Sequence, residues 1–295
     1  MANGASGPGG ARLRARAALL LAACLAGTGC ALSSPPLEQV LAAATRPGTD
    51  TRPGEAIDPL AELDRLAAAA VERARAAPHD PDAARAAAQR LFQAADLRLQ
   101  RAVVARLDAL AARSIDVVLL AEDELQEGVR TEILALCRAG RELAEHALEE
   151  REDDVAVRLQ VALHVSLIAW ANGPTRSLFA GLGPKLSNSI AAAVQIDPEH
   201  DHAAPLRLEG RFLAKAPWPY GDAAKARRSL TRAVEVAPLV VNHLFLGDAL
   251  YSSGQTEAAV AQWRLASTAA DDESTRWSAP LQRELARRRL QALGR

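Results

Sequence analysis

The residues best equipped for chemistry in this 295-residue chain are Glu199-His200-Asp201-His202, two carboxylates and two imidazoles in a row. Such donors bind zinc when they converge on one point. Two His separated by one residue on a loop point different ways, however, and no further ligand can be named. The other reading is a turn that caps the next helix. The acidic run Glu149-Glu150-Arg151-Glu152-Asp153-Asp154 reads as a solvated turn. No H-E-x-x-H, nucleophile elbow, paired-Cys zinc spacing or dinucleotide fingerprint occurs. The glycines between Gly173 and Gly183 lack the Lys-Ser/Thr pair of a phosphate loop. The expectation is a protein with no catalytic centre, no metal and no cofactor.

Binding chemistry is better represented. Arg207 and Arg211 lie one helical turn apart and could grip a carboxylate bidentately; equally, they could pair with local acids such as Glu209 or Asp248. If Gly210 and Gly247 are equivalent positions in stacked hairpins, Arg207, Arg211, Leu244, Asp248 and Tyr251 should project towards one groove. Trp218 and Tyr220 sit in the connection Lys215–Gly221 with two prolines. They are either contacts for a protein partner, where exposed aromatics dominate interface energies, or plugs for the gap that a long connection leaves.

The elements that must hold these groups are set by a repeated packing pattern. Ala226-x3-Leu230-x2-Ala233 recurs as Ala259-x3-Trp263-x2-Ala266, 33 residues on, and an earlier register is Leu186-x3-Ile190-x2-Ala193. Residues three and four apart share a helical face, so two of these stripes alternate small, large and small. Small residues admit a neighbouring helix and the large one fills the space between. Pro198 and Pro238 each follow the last Ala of a stripe at the same distance. The spacing predicts an all-α protein of stacked antiparallel helical hairpins, in which one unit buries its apolar face only when the next covers it.

Upstream, Asp58 and Pro59 open a helix to about Ala77, and Pro78–Pro81 breaks it. A second helix over 82–110 turns Phe92, Ala95, Leu99, Val103 and Leu107 to one side, with Arg90, Arg98, Arg101 and Arg106 largely off that face. Helices over 123–150 and 155–171 follow. Hairpins pair 205–214 with 222–236 and 242–253 with 256–270. A last helix over 279–293 carries Arg283, Arg287, Arg288 and Arg289 as the polar outer face that a terminal repeat needs. A net charge of −1 gives no electrostatic footprint for nucleic acid. Cys137 lies on an apolar stripe and reads as a small buried hydrophobe.

Residues 1–30 read as an export signal: Arg12, Arg14 and Arg16, then ten apolar residues, too few to span a bilayer. The run Leu25-Ala26-Gly27-Thr28-Gly29-Cys30 resembles the lipobox of bacterial lipoproteins, which implies a lipidated Cys30; Leu21-Ala22-Ala23-Cys24 makes Cys24 the alternative. Residues 31–57, rich in Pro, Gly and Thr apart from a short helical-looking Leu37–Ala44, read as a flexible tether, and 58–295 as the helical-repeat domain.

Leu206, Gly210, Ala226, Leu230, Ala233 and Pro238, and again Leu246, Gly247, Ala259, Trp263 and Ala266, resemble tetratricopeptide repeats. Between about residues 121 and 270, the text Trp170-Ala171-Asn172-Gly173, Ile196–Ala203, Gly210–Pro217, Gly221-Asp222 and Asn242–Leu246 resembles the tetratricopeptide-type lipoprotein component associated with TRAP transporters. The resemblance implies a non-catalytic, lipid-anchored periplasmic lipoprotein that forms homo-oligomers, while Ala31 after Cys30, in place of the Asp linked to inner-membrane retention in lipoproteins, favours the outer membrane. Its implied partners are a periplasmic solute-binding protein or another envelope protein, and an organic-acid or hydrophobic ligand. A general envelope scaffold that binds only proteins is the competing class.

Overall fold

The computed structural model describes residues 35–44, 58–110, 114–173, 177, 180–270, 272–273 and 275–295. The expected export signal with Cys24 and Cys30 falls outside them, as does most of the expected tether. Twelve α-helices form within the described residues. They are α1 (Leu37–Ala44), α2 (Pro59–Ala76), α3 (Pro81–Leu110), α4 (Ile115–Leu120), α5 (Glu127–Glu150), α6 (Val155–Asn172), α7 (Leu182–Ile196), α8 (His200–Lys215), α9 (Ala223–Val236), α10 (Val240–Ser252), α11 (Thr256–Thr268) and α12 (Ala279–Ala292). A 3-10 turn, Ala121–Glu124, leads from α4 towards α5.

Packing follows chain order: α2 on α3, α5 on α6, α6 on α7, α8 on α9, α10 on α11 and α11 on α12. The long α3 also packs along α5, and α12 returns to touch both α3 and α10. This closes the C-terminal hairpins against the N-terminal helices. Helix starts follow local capping. The Asp58 carboxylate accepts from Leu60 N at 3.2 Å, Asp154 from Ala156 N and Val157 N, and Asp222 from Ala224 N and Lys225 N. Each satisfies amides that the helix itself leaves unpaired. Asp154 ends the acidic run, whose first two residues close α5 and whose remainder, Arg151–Asp154, is the turn that starts α6.

The repeated stripes are core. Ala226, Leu230, Ala233, Ala259, Trp263 and Ala266 are fully buried, and Leu186, Ile190 and Ala193 nearly so. The glycines opposite make the fit possible. A Cβ at Gly210 would lie 2.4 Å from Leu230 Cγ, and one at Gly247 would lie 2.5 Å from the Trp263 indole. Gly140 plays the same part for α6: its missing side chain leaves room for the His164 ring, which a Cβ would approach to 2.2 Å. By length and composition α6 could cross a membrane. Here its apolar faces pack against α5 and α7 instead.

Three features differ from the sequence expectations. The short α1 lies inside the stretch read as tether, yet Val40 and Leu41 are buried in the main core against α2 and α5. Arg98, expected off the core face of α3, is buried, because α2 covers that side. There Arg98 makes two hydrogen bonds of 2.7 and 2.8 Å to Asp64, itself 1% exposed. Arg289, expected on the polar outer face, is buried as well. Its charge is the centre of the arrangement described next.

Candidate functional site

Where α8, α10 and α12 meet, four charged side chains interlock. Asp248 on α10 accepts from Arg289 Nε at 2.6 Å and Nη2 at 2.9 Å, from Trp263 Nε1 at 3.1 Å and from Arg211 Nη1 at 3.2 Å. Its two oxygens are therefore saturated by three side chains. Arg211 turns its other face to Glu122 of the 3-10 turn, with Nη2 at 2.8 and 2.7 Å from the two carboxylate oxygens. Lys215 adds an ion pair to Glu122 at 2.7 Å, and the Arg211 guanidinium stacks 4.5 Å over the Phe245 ring. Burial alone would raise the Glu122 pKa, but Arg211 and Lys215 hold it down to about 2. Burial likewise works against the charge on Arg211, and Glu122 and Asp248 more than restore it. Pairing this complete is what buried charge requires.

The residues singled out from sequence thus separate. Arg211 and Asp248 join each other, and the carboxylate that Arg211 grips is the protein's own Glu122. Leu244, expected in the groove, is 2% exposed and belongs to the core. Tyr251 is half-buried and packs its ring 5.7 Å from that of Trp263. Tyr220 lies against Phe212, with ring centres 6.2 Å apart, and over Gly183, where a Cβ would come within 2.8 Å of its ring. It fills the space beside the long connection, whereas Trp218, two residues earlier, is 90% exposed.

Arg207 has a different fate from Arg211. Its Nη1 donates to Asn242 Oδ1 at 3.2 Å and to the His202 carbonyl at 3.3 Å. Among the described residues no carboxylate lies within 4.0 Å of it. Asn242 is completely buried and is held in place by its own amide, which donates to the carbonyls of Ala237 at 2.7 Å and Ala233 at 3.1 Å. The fixed amide presents its oxygen to Arg207. The His202 carbonyl reaches Arg207 through an unusual backbone, for Asp201, His202 and Ala203 all have left-handed φ, between 46° and 62°. Such a conformation costs non-glycine residues roughly 1–2 kcal/mol each. The two imidazoles of this segment part ways: His200 faces Asp197 at 4.0 Å and His202 faces Asp272 at 3.1 Å. His164 and His243, on α6 and α10, are packed, with His164 Nε2 3.0 Å from the Ala88 carbonyl and His243 Nδ1 2.7 Å from Gln262 Oε1.

Glu122 and Arg289 were not among the residues picked from sequence. Glu122 lies in a short turn with no periodicity to mark it, and Arg289 shares a run of three arginines that differ only in the direction each faces. A separate shallow hollow of about 200 Å³ lies between α1 and α2, lined by Leu37, Leu41, Val71 and Arg75 among others. No protein-family model matches this chain, and no curated protein matches it significantly.

Proposed function

We propose that this chain is a non-catalytic, lipid-anchored periplasmic protein with tetratricopeptide-like repeats, which binds a partner protein or small ligand as an accessory to a TRAP-type transport system. The observation that supports it most is the set of buried stripes on α7, α9 and α11, with Gly210 and Gly247 receiving Leu230 and Trp263. Side chains spent on helix-to-helix fit serve recognition by shape, the usual work of stacked hairpins. The lipid reading rests on the Cys30 motif and the transport reading on the sequence resemblance. Trp218, exposed on a connection that Tyr220 braces, is the contact offered to a protein partner.

Two experiments test the proposal. A Cys30→Ala chain should lose its lipid and leave the detergent phase on expression in a lipoprotein-processing bacterium; retained lipid refutes Cys30 as the lipidated residue. Capture through the mature lipoprotein should recover a periplasmic solute-binding protein, and Trp218→Ala should weaken that capture. Recovery of envelope assembly factors alone would favour the scaffold reading.

A further inference from the structure

Glu122 stands apart from the acids of the interior. Asp64 and Asp248 ride on α2 and α10, where they are 1% and 7% exposed. Glu122 reaches in from a four-residue 3-10 turn, and its side chain stays 21% exposed. The groups that receive it do not depend on it for their positions. Arg211 is held by Asp248 at 3.2 Å and by the Phe245 ring beneath its guanidinium. Asp248 is pinned in turn by Arg289 and Trp263. Lys215 lies one helical turn further along α8, with Nζ 2.7 Å from Glu122 Oε1. Without Glu122 the cluster would hold three cations, Arg211, Lys215 and Arg289, and one acid, Asp248. Its charge calls for a second carboxylate, but not for a tethered one.

The fit of Glu122 is also incomplete. Both of its oxygens meet the same nitrogen, Nη2, at 2.8 and 2.7 Å. A guanidinium grips a carboxylate best through two parallel N–H···O bonds, and among the described residues nothing accepts from Arg211 Nε. The Arg211 and Lys215 side chains are 19% and 39% exposed, so solutes reach this side of the cluster. The turn itself is fastened elsewhere: Arg130 donates to the Asp123 carbonyl at 2.6 Å, and Ala121 is 2% exposed. Only the Glu122 side chain therefore has to rotate to free the two cations. We propose that Arg211 and Lys215 form a receiving site for a small organic acid, with Glu122 seated in it as a built-in substitute that the ligand's carboxylate displaces. A ligand shifts such an equilibrium only by binding the opened form better, and the paired N–H edge of Arg211 supplies that difference. The tethered carboxylate competes at the high effective concentration of its short linkage, which keeps the site closed until an acid is abundant. This rests on the small-ligand half of the proposed function and names the ligand class.

The test titrates acetate and succinate calorimetrically into the native mature chain, Glu122→Ala and Glu122→Gln at matched ionic strength, with neutral acetamide as control. At least one acid should bind the native chain at millimolar concentrations. It should bind each variant more tightly by about tenfold or more, because the internal competitor is gone. Acetamide should bind none of the three. Adding Lys215→Ala to Glu122→Ala should weaken acid binding by about tenfold, as the loss of one charge-assisted hydrogen bond does. Circular dichroism checks that the variants fold, and Glu122→Gln, which keeps the side-chain shape, carries the comparison if Glu122→Ala does not fold. Binding of no acid by the native chain marks Glu122 as a structural partner only and overturns the inference. Equal affinity in native and variant chains, or affinity untouched by loss of Lys215, overturns it too. Because capture of a solute-binding protein is scored separately, a chain that captures such a partner but binds no acid refutes the carboxylate site alone. A chain that binds an acid in the expected order but captures no such partner refutes the transport role alone.

Discussion

Replacing Glu122 by Gln keeps the shape of the side chain and removes its charge from Arg211 and Lys215. In the fold Glu122 titrates at about 2, against an ordinary value of 4.5. A difference of this size corresponds to roughly 3 kcal/mol of native-state stabilisation. The sign follows from the depressed folded pKa. The contribution is complete above pH 4.5, where the unfolded carboxylate is also ionised. It is lost as pH falls towards 2, where the folded one protonates too. Urea melts of the native chain and Glu122→Gln at half-unit steps from pH 7 to pH 2 should therefore show a gap of about 3 kcal/mol at neutrality. The gap should begin to close below pH 4.5 and vanish near pH 2. His164, whose pKa burial lowers to about 4, adds its own acid lability between pH 6.5 and 4. It is common to both chains and cancels in the difference. A gap that stays constant across the whole range, or that is absent at pH 7, refutes the assignment of Glu122 as the carboxylate held by Arg211.

Gly247→Ala should destabilise the chain by about 1–3 kcal/mol in thermal melts, as overpacking does. The Trp263 indole cannot slide away from the new Cβ without giving up its hydrogen bond to Asp248, so an unchanged melting temperature would refute that close approach. Tyr220→Ala should cost about 1–2 kcal/mol through lost packing on Phe212, whereas Trp218→Ala should shift stability by less than about 0.5 kcal/mol, as is usual for surface positions; equal losses would refute the division between plug and exposed contact. Asn242→Leu should cost about 1–3 kcal/mol by removing the side-chain hydrogen bonds to the Ala233 and Ala237 carbonyls and to Arg207, and a neutral effect in denaturant melts would show that these bonds do not stabilise the fold.

Helices were readable wherever one stripe governs packing. The Leu230 and Trp263 registers, the Asp58 cap and the stripe from Phe92 to Leu107 along α3 each record a local rule, and the structure places helices there. What escaped the sequence is long-range. Arg98, Arg207, Arg211 and Arg289 are the same residue on amphipathic helices, yet three pair with acids, Asp248 being shared by Arg211 and Arg289, and one meets only an amide and a backbone carbonyl. Their roles depend on which helix arrives from elsewhere in the chain: α2 for Arg98, the 3-10 turn for Arg211 and α10 for Arg289. Periodicity tells which side of a helix is apolar but not what covers its polar side. The α4 segment was missed because six residues are too short for a period to show. The kink at Asp201–Ala203 was missed because nothing in Asp-His-Ala calls for a left-handed backbone.

If Cys30 carries the proposed lipid, the docking of α1 limits how far the protein stands from a bilayer. Had all of 31–57 been free, a lipid on Cys30 would have let the helices roam to about 100 Å from the membrane, at full chain extension. With Val40 and Leu41 seated against α2 and α5, only the span from Cys30 to Leu37 can pay out, at most about 25 Å. On that reading the body hangs on a short leash with the α1 end turned towards the lipid, and any partner must come to the surface to meet it.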